Sequence, residues 1–140
     1  MDKRWEILGM PEGIIIKDWF EDGVRCLIMR GPAHLCAYLG VPIDHPLAGY
    51  NYDEIPLRVH GGLTFADKGD GKNRPTGYWW YGWDYGHAGD ATTYEIELYG
   101  KTFGKMWTIA EVEEEVHWAL YDFAMVVKLA EKIVVGRIKA

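Results

Sequence analysis

The chain has 140 residues, of which 49% are hydrophobic and 26% are charged. This length and composition predict one globular domain over residues 1–140 with its own core, and they exclude general disorder and a fibrous architecture. The formal net charge of −6 disfavours nucleic-acid binding, because such binding depends mainly on Lys and Arg displacing counterions from phosphates.

The sequence predicts a cytoplasmic protein with no membrane segment. No apolar signal core follows the first basic residues, and the longest apolar runs are far shorter than the roughly 20 residues that span a bilayer. Cys26 and Cys36 lack the CxxC spacing of zinc and redox motifs, so we expect ordinary buried thiols.

The first half of the chain predicts an antiparallel meander. Turn signals at 21–23 (EDG) and 31–33 (GPA) separate stretches rich in strand-forming residues. We expect strands over 5–8, 13–19, 24–30 and 35–41. A proline-rich loop over 42–56 then interrupts the strand pattern.

Alternating patterns resume after this loop. Segment 57–65 predicts a strand with Val59, Leu63 and Phe65 on one face, and segment 78–84 (YWWYGWD) predicts an aromatic strand. The glycine-rich, charged segment 67–77 between them reads as a hairpin loop. A further strand is expected over 93–99.

The last third of the chain predicts one long helix. Thr108 and Glu111 form a T-x-x-E capping box, and apolar residues recur at helical spacing from Ile109 to Ile133. We expect this helix to pack across the sheet. The predicted fold class is therefore α+β, with a mainly antiparallel twisted sheet and one long C-terminal helix.

Glycine-flanked histidines carry the candidate chemistry. If the strands bearing His60 and Asp84 are neighbours, both side chains face one side, with His87 and Asp90 just beyond the strand end. Neutral imidazoles and carboxylates suit Zn, Mn or Fe, and an incomplete ligand set leaves room for an activated water. We therefore predict metal ligation by His60, His87 and Asp90 and catalytic roles for His60, Asp84 and His87, while metal-free acid–base chemistry by the same groups stays open.

Other residues near these histidines are candidates for holding a substrate. Glycine lets a ligand approach the backbone closely, and an aromatic ring can stack on a flat ligand. The predicted substrate-binding residues are Gly61, Gly62, Thr64, Trp80 and His45.

Three functions fit these residues. The first is a hydrolase-like enzyme with a His/Asp site and a divalent metal. The second is a nonenzymatic protein that sequesters a small, nucleotide-like molecule between aromatic rings, with the Gly61 and Gly62 N–H groups holding an anion. The third is a structural or interaction module in which the histidines only stabilise turns. The surplus of aromatic residues is also compatible with a homo-oligomer.

Three segments in fixed order, AYLGVPIDHPL, VHGGLTF and YWWYGWDYGHAGD, resemble a family of small uncharacterised phage and prophage proteins. The resemblance covers about residues 30–91 and the later helix. It implies a cytoplasmic protein made in a microbial host, and it implies no particular activity. The positions it singles out are His45, His60, Asp84, His87 and Asp90.

Overall fold

Five antiparallel strands form a single sheet. The structure, a computed structural model, describes the backbone of residues 5–139 and the side chains of residues 5–133. The strands are β1 (Ile15–Glu21), β2 (Val24–Arg30), β3 (Leu35–Pro42), β4 (Phe65–Lys68) and β5 (Tyr78–Asp84). Their spatial order is β1-β2-β3-β5-β4, so β5 returns from the edge strand β4 to pair with β3.

Two helices follow the sheet in the chain, α1 (Thr93–Tyr99) and α2 (Ile109–Lys139). The buried face of α2, which includes Val112, Val116 and Phe123, packs against β2 and β3. The predicted α+β fold, an antiparallel sheet with one long C-terminal helix, is thereby confirmed. The Glu111 carboxylate accepts a hydrogen bond from the Thr108 N–H at 3.0 Å, as the capping box predicts.

The two faces of the sheet differ in what covers them. Alternation along β5 directs Trp79, Tyr81 and Trp83 toward the core beneath α2. Trp80 points to the opposite face, where it joins a small cluster with Leu27 and Met29. Both faces of β5 are therefore lined with aromatic rings, and most of the Trp surplus serves packing.

The strand predicted over 57–65 is wrong for most of its length, because regular pairing begins only at Phe65. Gly61 and Gly62 adopt φ values of +70° and +80°, in the left-handed region that interrupts an extended strand. The segment instead makes a tight turn, in which the Gly62 N–H donates to the Val59 carbonyl at 2.9 Å. This turn is what brings His60 to the helix.

Segment 93–99 is a helix rather than the predicted strand. Its period-two pattern, TYEIELY, suits a strand, but capping interactions at both ends favour helix. The Thr92 N–H donates to the Glu95 carboxylate at 2.9 Å, and Gly100 ends the helix in the left-handed conformation. The predicted strand over 5–8 is also wrong, since these residues form a turn.

None of the helices that residues 5–139 form is both long and apolar enough to cross a membrane.

The two cysteines lie on opposite sides of the sheet and are free and buried. Cys26 faces the core beneath α2. Cys36 belongs to the other face and lies with its Sγ 3.7 Å from the Nδ1 of His34, a neighbour that the sequence did not indicate. Burial is the largest influence on both thiols and raises the pKa of each from 9.0 to about 12.

We expect a thiol reagent such as Ellman's to label neither cysteine in the folded protein at neutral pH, and both in denaturant. The thiolate is the reactive form, and a pKa near 12 leaves almost none of it. The unfolded thiols ionise near 9.0, so alkaline pH between 9.0 and about 12 will favour unfolding. Labelling of the folded protein as fast as free cysteine would contradict this.

Candidate metal centre

The first part of the site is the turn at His60. The backbone N–H of His60 donates to the Glu115 Oε1 of α2 at 3.0 Å. This bond ties the turn to the first third of the helix, fifty-five residues further along the chain. The glycines that follow His60 allow the reversal of direction that presents its ring to the end of β5.

The second part is the loop after β5. The His87 N–H donates to Asp90 Oδ2 at 2.9 Å, and the Asp90 N–H donates to the His87 carbonyl at 2.9 Å. Lys105 runs alongside this loop, donating its N–H to Gly89 and accepting from the Ala91 N–H, at 2.9 and 2.8 Å. These bonds fix the part of the loop that carries Asp90.

Asp90 is the centre of the cluster. Its Oδ2 lies 2.7 Å from His60 Nε2, and its Oδ1 accepts a hydrogen bond from Trp107 Nε1 at 2.9 Å. Burial opposes ionisation of this carboxyl, but the hydrogen bonds from His60, His87 and Trp107 outweigh it and lower the pKa of Asp90 below its ordinary value. A carboxylate is therefore maintained where only 4% of the side chain is exposed.

His87 contributes a ring nitrogen, Nδ1, to the cluster. Its Nδ1 is buried and has no hydrogen-bond partner among the described residues. The nearest carboxylate oxygens, Asp84 Oδ1 and Asp90 Oδ2, lie 3.6 and 3.7 Å away, beyond hydrogen-bond range. Buried polar atoms are normally paired, so this nitrogen is a point where an additional partner would be bound.

One ligand atom from each of His60, His87 and Asp90 lies within 4.8 Å of the others. A transition-metal ion bound at about 2.0–2.2 Å from each ligand requires the ligand atoms to be roughly 3–3.5 Å apart. The 2.7 Å and 3.7 Å separations from Asp90 Oδ2 lie on either side of that range. The three groups are therefore close to a metal-binding arrangement, and both imidazoles would have to shift relative to Asp90 to hold an ion.

An aromatic wall supports the His60 ring. Tyr85 stacks on it, with ring centres 4.9 Å apart and planes 3° apart, and Trp107 lies 4.8 Å from both rings. The Tyr85 hydroxyl donates to Glu115 at 2.7 Å and accepts from Trp83 Nε1 at 2.9 Å. Burial, the largest influence, and the neighbouring Glu115 raise the pKa of Tyr85, so its hydroxyl stays protonated.

The supporting residues Tyr85, Trp107 and Glu115 were not among the predicted site residues. Tyr85 lies within the YWWYGWDYGHAGD motif, which was a usable signal. Glu115 belongs to a run of glutamates near the start of α2, and Trp107 precedes the helix, and neither lies in a motif that points to the site. Only the tertiary fold brings these two side chains to His60.

Asp84 and Thr64 lie at the edge of the cluster. The Asp84 Oδ1 accepts from the Gly86 N–H at 3.0 Å, and its Oδ2 lies 3.5 Å from the Thr64 hydroxyl. Asp84 thus stands near His87 without a hydrogen bond to it. The Gly62 N–H is used within its own turn, which leaves it unavailable for the anion that the sequence assigned to it.

Trp80 and His45 are not part of this cluster. Trp80 is fully buried on the opposite face of the sheet, and its Nε1 donates to the Pro75 carbonyl at 3.0 Å. His45 accepts from the Leu47 N–H and lies 3.9 Å from Glu131. Glu131 is sixteen residues beyond Glu115, about 24 Å along the helix axis. Neither residue can contact a ligand bound at His60.

Comparisons with protein-family models, with curated proteins and with solved structures find no match to this chain.

Proposed function

We propose that this protein is a hydrolase-like enzyme in which His60, His87 and Asp90 bind a divalent transition metal. Two imidazoles and one carboxylate are ligands that suit Zn, Mn or Fe, and three protein ligands leave coordination positions for water and substrate. The chemistry that such an ion supplies is the activation of a bound water at neutral pH.

The observation that carries the proposal is the Nδ1 of His87, which has no hydrogen-bond partner within residues 5–133. It is buried and lies 3.7 Å from a carboxylate oxygen that is itself 2.7 Å from a second imidazole. A histidine that only stabilised its turn would pair this nitrogen with a backbone group. A cation in place of the proton between His60 Nε2 and Asp90 Oδ2 would keep these two groups together and would also give His87 Nδ1 a partner.

The surroundings of the ligands favour the same assignment. Trp107 donates to the Asp90 oxygen that does not face His60, and such outer contacts orient metal-binding carboxylates. Tyr85 and Trp107 hold the plane of the His60 ring. About a quarter of the His60 side chain and a third of the His87 side chain are exposed, so a small substrate can reach the cluster from solvent.

The test is metal content, measured by inductively coupled plasma mass spectrometry on untagged protein purified without chelator. We expect near-stoichiometric Zn, Mn or Fe in the wild type and a loss of metal in His60→Ala and His87→Ala. His117→Ala is the matched control, because His117 is exposed on α2 and pairs with Glu21 at 3.0 Å. A wild type that neither retains nor binds added Zn²⁺, Mn²⁺ or Fe²⁺ would overturn the metal site.

A second candidate is metal-free acid–base catalysis by the same residues. The 2.7 Å contact between Asp90 and His60 supports it, because a carboxylate that orients an imidazole makes it a competent general base. A metal-free wild type whose activity in a hydrolase screen disappears in His60→Ala would favour this mechanism over the metal enzyme.

Three further expectations concern ligand sequestration, cellular location and family resemblance. Sequestration of a flat ligand on Trp80 has little support, because that ring is fully buried. We also infer a cytoplasmic location, since two free cysteines on opposite faces of the sheet suit a reducing compartment. The phage-type resemblance stays a prediction.

A further inference from the structure

The solvent-facing side of α2 carries an apolar stripe in addition to the face buried in the core. We use "α2 stripe" for five large side chains that are 56–72% exposed, namely Trp118, Tyr121, Met125, Leu129 and Ile133. At about 100° per residue they fall within roughly 120° of arc, and they extend about 22 Å along the helix axis. Asp122 and Lys132, both exposed, share this arc, but five large exposed apolar side chains on one helix face still form the kind of patch that marks a binding surface.

The stripe continues into an apolar hollow at its C-terminal end. Leu129 and Ile133 form one wall, and Leu47, Tyr50 and Ile55 from the loop after β3 form another. The hollow has a volume of about 270 Å³, below the roughly 300–1,000 Å³ of typical small-molecule pockets. Its size and apolar lining suit a single large side chain better than a free ligand.

Charges flanking the stripe change sign along the helix. Glu111 and Glu114 precede it, whereas Lys128 and Lys132 lie beside its C-terminal half. A second α2 running antiparallel would bring the acidic end of one copy to the basic end of the other. It would also oppose the two helix dipoles, whereas a parallel arrangement would juxtapose like charges.

We propose that the α2 stripe binds a second copy of this chain, forming an antiparallel helix pair about a two-fold axis near Met125. Met125 lies midway between Trp118 and Ile133 in the sequence. The two-fold axis therefore places Trp118 of the second copy opposite Leu129, Ile133 and the hollow. The same contact is repeated on the other side of the axis, as an isologous dimer requires.

The proposal is tested with the full chain by sedimentation equilibrium across a micromolar concentration series. We expect twice the 16.0 kDa chain mass for the wild type, and Met125→Glu should raise the dissociation constant at least about 30-fold because two buried charges would meet at the axis. Leu98→Glu is the matched control, since Leu98 is an exposed apolar residue on α1. Its mass should equal that of the wild type.

A charge exchange tests the direction of the pairing. Glu114→Lys should weaken the dimer several-fold, and adding Lys132→Glu in the same chain should restore it. A monomeric wild type, a dimer unaffected by Met125→Glu, or a Glu114→Lys variant that dimerises more tightly would each overturn the proposal. A monomer that binds vesicles of zwitterionic and anionic lipid would overturn it in favour of a membrane surface.

Discussion

We expect replacement of Asp90 by alanine to abolish the proposed metal binding and to lower the free energy of unfolding by about 3–5 kcal/mol. Three donors lose their acceptor at once, namely the His60 ring, the His87 N–H and the Trp107 indole N–H. Each buried donor left without a partner costs about 1–3 kcal/mol. The measurements are urea denaturation for stability and titration with Zn²⁺ for affinity.

Asp84→Ala is the control for Asp90→Ala. Asp84 carries the same charge and lies 3.6 Å from the same His87 nitrogen, but it accepts its closest hydrogen bond from the Gly86 N–H. We expect it to retain metal and to lose about 1 kcal/mol of stability. Equal losses of metal in both variants would mean that general negative charge, rather than ligation by Asp90, attracts the cation.

Gly61→Ala and Gly62→Ala form a matched pair that separates backbone strain from contact with His87. Both glycines have positive φ, +70° and +80°, and an L-residue in this region costs about 1–2 kcal/mol. A Cβ added at Gly61 would lie 2.3 Å from His87 Cε1, whereas one added at Gly62 meets nothing within 4 Å. The imidazole must therefore move only in Gly61→Ala.

We expect Gly62→Ala to lose about 1–2 kcal/mol of stability and to keep its metal affinity. Gly61→Ala should lose about 3–4 kcal/mol and bind Zn²⁺ at least about 100-fold more weakly, since a displaced ligand cannot close the coordination set. Equal affinities in the two variants, measured by competition with a chromophoric chelator, would remove His87 from the ligand set.

The β1–β2 turn, strand β5 and the start of α2 could be predicted, because short sequence signals specify each of them. Asp22 and Gly23, both with positive φ, connect β1 to β2 at the turn that the sequence indicated. Strand β5 occupies the predicted residues 78–84, and α2 begins directly after the predicted capping residue Thr108. Each of these features is encoded within a few residues of where it appears.

Two wrong strand predictions, over 93–99 and 57–65, arose where an alternating apolar pattern competes with other local signals. Segment 93–99 alternates like a strand, but the Glu95 side chain and Gly100 cap a helix there. Segment 57–65 has alternating apolar residues, but it also contains two glycines whose positive φ interrupts the hydrogen-bonded pairing of a strand. Period-two hydrophobicity alone therefore gave the wrong element in both places.

The candidate ligands could be predicted because His87 and Asp90 lie three residues apart and His60 precedes the neighbouring hairpin. The residues that support them could not. Glu115 reaches the site from α2 and Trp107 from the segment before it. Their role therefore depends on how α2 crosses the sheet. Trp80 lies on the face of its strand that points away from the site. The sequence could not exclude it, because the alternation along β5 does not tell which of the two faces carries the site.

The strand order also has a kinetic consequence. The central pair β3–β5 can form only after the chain between them has closed a long loop, because the whole segment 43–77, which includes β4, lies between these neighbours. Loop closure of this kind slows folding relative to a simple meander. His60 lies inside that loop, while His87 and Asp90 follow β5. We therefore expect the site to assemble late in folding, together with the pairing of the central strands.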